Sequence, residues 1–154
     1  MFDLEIMTRD FGKLDIAEEN IIVFEDGLPG FEEYYKFALI PLAEDSPFLV
    51  IQSIKDVEIA FTVIEPGNFI KDYQFEISDN VEEELKIETI EDVLVLNIIT
   101  LNQNIKQSTV NLSAPLVINA SENLGRQVIL DNPSYKVKQK LFKTSKSSGE
   151  EVAE

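Results

Sequence analysis

The chain has 154 residues, 44% of them hydrophobic, which suits one domain with a substantial core and argues against global disorder. It contains no histidine and no cysteine, so disulfides, Cys–His or Ser–His–Asp nucleophiles and the common zinc sites are excluded. A net charge of −16 disfavours nucleic acid as a direct partner and favours a basic protein.

Taken in chain order, Phe2 to Met7 alternates apolar and charged residues, the period of a half-buried strand. Arg9 to Gly12 turns it, and Lys13 to Ile16 alternates again. Ile21 to Phe24 is a short buried strand running into Asp26-Gly27 and then Leu28-Pro29-Gly30. Glycine opens positive φ while proline fixes φ near −65°, so these five residues predict a tight corner that sets strand register. Lys36 to Leu42 resumes strand character, with Pro41 predicting an edge or bulge position.

Ala43 to Pro47 reads as a turn, Phe48 to Ile54 as a buried strand, and Lys55 to Glu58 as a tight connection to a strand at Ile59–Ile64. Glu65-Pro66-Gly67-Asn68 must end that strand, and the core is the expected home of Phe69 and Ile70. Tyr73 to Ile77 alternates and predicts a strand, and Ser78-Asp79-Asn80 supplies N-cap candidates for a short helix. Val93 to Leu101 is apolar almost throughout and predicts a central strand. Further strands are expected at Lys106–Leu112, Leu116–Ala120 and Arg126–Leu130.

Short strands with many turn signals predict an all-β fold: an antiparallel sandwich or partly closed β-barrel with one short helix at about residues 79–87. A single mainly-β domain is expected over 1–132. Residues 133–154 form a Lys/Ser/Glu-rich tail expected to be mobile, since little apolar surface remains to offset its ordering. The charge follows the same division. Residues 1–125 carry 25 acidic and 7 basic side chains, a net −18, and residues 126–154 carry 4 and 6, a net +2.

No dinucleotide fingerprint, phosphate-binding glycine loop or calcium-loop pattern occurs. Adjacent carboxylates such as Glu44/Asp45 and Glu91/Asp92 read as solvated turn residues rather than an acid–base pair. The expectation is a non-enzymatic, protein-binding module without cofactor or metal, acting without contact to nucleic acid or membrane. The composition, with neither signal peptide nor apolar span, fits the cytoplasm. Two loops combine carboxylates, proline and an apolar anchor. They place Glu44, Asp45, Glu65, Phe69, Asp72 and Tyr73 on or beside the expected protein-binding face.

Phe24-Glu25-Asp26-Gly27-Leu28-Pro29-Gly30-Phe31-Glu32 resembles the signature of the flagellar assembly factor FliW family. Similarity continues in Glu44 to Phe48, Gln52-Ser53, Lys71-Asp72-Tyr73, Asn111 to Asn119 and Leu124 to Leu130, covering about Met1 to Leu141. The resemblance implies a protein, monomeric when unbound, with two partners. One is the RNA-binding carbon storage regulator CsrA, kept off flagellin mRNA; the other is cytoplasmic flagellin, which releases the regulator to repress translation. An export chaperone that only shields flagellin, with no translational role, is the alternative.

Overall fold

The computed structural model describes residues 3–142. Strands β1 (Asp3–Thr8) and β2 (Gly12–Ala17) form a separate hairpin. Strands β3 (Ile21–Val23), β4 (Lys36–Pro41), β5 (Phe48–Ser53), β6 (Ala60–Ile64) and β7 (Val93–Thr100) then pair antiparallel in sequence order. After β8 (Thr109–Val110), β9 (Leu116–Asn119) pairs with β7 and with β10 (Leu124–Gln127). Finally β10 lies parallel to β3 through Leu124 and Val23. The seven-strand ring closes, so the fold is a barrel rather than a sandwich.

The interior holds Ile22, Phe24, Leu28, Phe37, Ile51, Val63, Leu96, Leu116 and Ile118, all nearly or fully buried. Full burial of each such side chain contributes about 1.5–3 kcal/mol. Period two explains why β4 is apolar on both faces. Phe37 points into the barrel, while Ala38 and Ile40 pack outward against Ile6 and Ile16 of the hairpin. The outer face of β9 is covered in the same way. Its Val117 meets Val81 and Leu85 of the helical segment that starts with α1 (Asp79–Glu84). Ser78 caps α1, its hydroxyl accepting from the Val81 N–H at 3.3 Å, and Asp79 and Glu82 sit in the first turn where the helix dipole favours them.

Four local expectations change. Tyr73–Ile77 alternates in burial as a strand would, yet pairs with no strand. Its alternation records packing of Tyr73, Phe75 and Ile77 against the barrel rather than a ladder. Lys106–Leu112 reduces to β8, because Asn104 caps a 3-10 turn at Ile105–Gln107 by accepting from the Lys106 N–H at 3.1 Å. Strand β10 starts at Leu124, two residues before the expected Arg126. Pro41 occupies the end of β4 in a closed ring, not an edge strand.

The expected tail boundary also moves. Residues 133–142 pack on the barrel: β11 (Gln139–Lys140) pairs with β8, and Leu141 is buried against Ile64, Ile99, Val110 and Leu112. The apolar residues Tyr135, Leu141 and Phe142 supply the surface that the Lys-rich composition obscured. The rest of the expected tail, 143–154, lies outside the described residues.

Candidate functional site

The corner after β3 is built by its own backbone. Gly27 donates to the Phe24 carbonyl at 2.8 Å and Phe31 to the Leu28 carbonyl at 2.7 Å. Gly27 and Gly30 take φ +67° and +85°, the left-handed region that favours glycine. The Gly30 N–H also donates to the Glu32 carboxylate at 3.0 Å, which holds that carboxyl below the ordinary glutamate range. Phe24 drops into the core edge-on to Phe37, with ring centroids 5.7 Å apart, and Phe31 packs edge-on to Phe61 at 5.3 Å.

Three segments distant in sequence meet at this corner. Gly125 on β10 lets the Phe24 ring approach, and Arg126 forms ion pairs with Asp26 of the corner at 3.7 Å and with Glu84 of α1. Leu28, Pro29 and Phe31 share a depression of about 290 Å³ with Asn111, Ala114, Gln127 and the exposed Ile129. The resemblance segments at 24–32, 111–119 and 124–130 are therefore neighbours in space. Gln52-Ser53 is structural: buried Gln52 accepts from the Arg9 N–H at 2.9 Å and donates to the Ser53 carbonyl at 3.0 Å. The Ser53 hydroxyl accepts from the Asp56 N–H at 3.0 Å and so shapes the next turn.

Of the six expected binding residues, Glu44, Asp45, Glu65 and Phe69 lie at the other end of the barrel, while Tyr73 sits against Leu112 and Asn97 and Asp72 beside Tyr135. Because β4, β5 and β6 are antiparallel, with Phe48 opposite Ile64, the turn holding Glu44 and Asp45 shares that end with Glu65. Phe48 and Phe69 join the two loops, ring centroids 5.9 Å apart, and Phe142 packs on Phe69 at 6.1 Å. Glu44, Asp45, Glu65 and Asp72 are exposed; Phe69 and Tyr73 are half-buried.

Phe69 is thus a packing anchor. Tyr73 is one too: its hydroxyl donates to the Leu112 carbonyl at 2.6 Å and accepts from the Asn97 amide at 3.1 Å. Burial pushes its phenol above the ordinary tyrosine value. Glu44, Asp45, Glu65 and Asp72 form no ion pair among the described residues. Among the described residues, no three His, Cys, Asp or Glu side chains are placed to hold a metal ion, and no helix is long and apolar enough to cross a membrane.

Sequence reasoning did not single out a third surface. An open groove of about 760 Å³ runs between the extended segment 73–77 and the first half of β7. Phe75, Ile77, Val93 and Val95 line it, and Glu76, Asp79, Glu82 and Glu88 supply its charge. The signal was present in Pro66, which ends β6 early.

The FliW protein family model matches residues 5–141. The chain is 44% identical over 140 residues to a flagellar assembly factor FliW of Clostridium kluyveri, covering 91% of this chain and 97% of that protein. It is 46% identical over 136 residues to the flagellar assembly factor FliW of Bacillus licheniformis, covering 88% and 95%. A crystal structure of the flagellar assembly factor FliW superposes with a TM-score of 0.85 at 38% identity, over 91% of this chain and 98% of that one. By fold, by matched length and by the segments gathered at the corner, the chain belongs to the FliW family.

Proposed function

We propose that this protein acts in flagellar assembly, in the cytoplasm, as a non-enzymatic antagonist of a CsrA-type RNA-binding regulator and as a binder of flagellin. In this reading it holds the regulator away from flagellin mRNA until newly made flagellin competes for it. The observation that carries the reading is the net −18 over residues 1–125 in a chain of this family. A protein that binds RNA must be basic, and an acidic partner gains steering and complementarity towards it. The absence of histidine and cysteine fits binding rather than turnover.

Glu44, Asp45, Glu65 and Asp72, carried on the aromatic base of Phe69 and Tyr73, are the proposed protein-binding face. Turn carboxylates over packed aromatics can orient a basic partner without disturbing the core. Immobilised regulator and immobilised flagellin are each expected to retain the purified protein at physiological salt. Retention by flagellin alone would instead support a chaperone that shields flagellin for export without a translational role.

A further inference from the structure

The groove beside β7 is flanked by backbone that no strand satisfies among the described residues. Ala120 donates to the Asp92 carbonyl at 2.8 Å, which makes Asp92 a hydrogen-bonded partner on the β9 side. Backbone polar groups alternate sides along a strand, so Leu94 and Leu96 also face β9 while Val93 and Val95 face away. Away from β9 the neighbour is β6, whose last pair is Ile64 with Asn97. One more hydrogen-bonded step in that register would set residue 66 opposite Val95. Residue 66 is proline, which has no N–H, and its carbonyl already accepts from Phe69 and Ile70 at 3.0 and 2.8 Å. Pro66 thus leaves the Val95 N–H and carbonyl without a ladder partner.

Across the groove the segment 73–77 shows the matching feature. The Tyr135 hydroxyl accepts from the Gln74 N–H at 2.9 Å and donates to the Gln74 carbonyl at 2.8 Å. Adjacent residues of an extended chain turn these groups to opposite sides, so Phe75 and Ile77 turn theirs away from Tyr135. No backbone hydrogen bond to Phe75 or Ile77 is present among the described residues. Apolar side chains lie between the two edges, carboxylates surround them, and among the described residues no lysine or arginine lines the groove.

We infer that this groove receives an extended segment of a partner protein as an added β-strand, with apolar side chains alternating with lysine or arginine. Main-chain hydrogen bonds to Val95 and to Phe75 or Ile77 supply the affinity, and the apolar floor with Glu76, Asp79, Glu82 and Glu88 supplies the preference. At about 3.3 Å per residue, five or six residues span an edge of this length. The inference rests on the protein-binding reading and gives it a recognition mode.

The test uses the full chain, isotopically labelled, and a synthetic peptide with the order Lys-Val-Thr-Val-Lys-Val-Thr. Binding is expected to shift the backbone amides of Phe75, Ile77 and Val95. The same peptide N-methylated at alternate residues keeps its charge and loses the donors along one edge, and is expected to bind at least tenfold more weakly. The double variant Glu76→Lys/Glu88→Lys, both exposed positions, is expected to weaken the unmethylated peptide with its melting temperature kept. Equal binding of the methylated peptide, shifts confined to other surfaces, or no binding at millimolar peptide would overturn the inference. Neither regulator nor flagellin is used, so failure here leaves the proposed partners standing, and failure of those partners leaves this titration interpretable.

Discussion

Gly125 backs directly onto the ring of Phe24: a Cβ at residue 125 would stand 2.6 Å from Cε1 of that ring. Phe24 is fully enclosed and braced by Phe37, so the ring has nowhere to retreat. Gly125→Ala is expected to destabilise the barrel by about 1–3 kcal/mol, the usual cost of overpacking a core. Urea unfolding measures this directly, and an unchanged midpoint would refute the contact as a constraint.

The two corner glycines are not equivalent. At Gly30 a Cβ meets nothing within 4 Å, whereas at Gly27 it would lie 2.6 Å from the Glu32 Cα. Both have positive φ, so alanine costs roughly 1 kcal/mol at either from backbone strain alone. Gly27→Ala adds a backbone clash, so the expected order of melting temperature is wild type, then Gly30→Ala, then Gly27→Ala. Pro29 is exposed, and Pro29→Ala should cost under about 1 kcal/mol through the unfolded chain. Equal losses at Gly27 and Gly30 would contradict this account of the corner.

Tyr73→Phe removes the hydroxyl that joins the Leu112 carbonyl to Asn97, at an expected cost of about 1–3 kcal/mol. The tyrosine also carries a pH signature. Its phenol is raised above 10.0 in the fold, chiefly by burial, so the folded protein holds that proton more tightly than the unfolded chain. The stability it contributes is fully present below the ordinary tyrosine value and is lost as pH rises through the raised one. As pH rises above about 10 the unfolding midpoint should fall more steeply for wild type than for Tyr73→Phe. Parallel slopes would show that Tyr73 does not titrate differently on folding.

The loop carboxylates call for substitutions chosen by backbone. Asp45 and Asp72 have φ +63° and +61°, which asparagine tolerates and lysine accepts less readily. Glu44→Lys/Asp45→Asn and Glu65→Lys/Asp72→Asn therefore change charge without asking more of the turns. Stability should stay within about 0.5 kcal/mol, while association with the regulator slows. Unimpaired binding of both partners by both variants would remove these loops from the interface. Raising salt should slow association of the unaltered protein too, since exposed charges are screened over about 8 Å at physiological ionic strength.

The mainly-β class was legible in the sequence because its strands are short, alternating and separated by turn residues at nearly every junction; the choice of barrel over sandwich was not, since closure rests on the long-range pairing of Leu124 with Val23. The corner was legible for the same reason, with Asp26-Gly27 and Pro29-Gly30 each imposing a backbone constraint. Tyr73–Ile77 misled because burial alternates whether or not a ladder forms; only Tyr135, sixty-one residues from Gln74, shows where that backbone is satisfied. The end of the domain misled because lysines hid the apolar Tyr135, Leu141 and Phe142. Of the six expected binding residues, Phe69 and Tyr73 could not be told from packing residues by pattern, since an aromatic anchor and a core aromatic look alike in sequence. The open edge of β7 depends on the register of β6 against it, a long-range fact that Pro66 alone only hints at.

The central claim is that this acidic protein keeps the regulator off flagellin mRNA and yields it to flagellin. Fluorescence anisotropy of a labelled flagellin-leader RNA bound by a CsrA-type regulator tests it most directly. Adding the purified protein should release the RNA, and adding flagellin afterwards should restore the complex. RNA that stays bound at saturating protein and low salt would contradict the account.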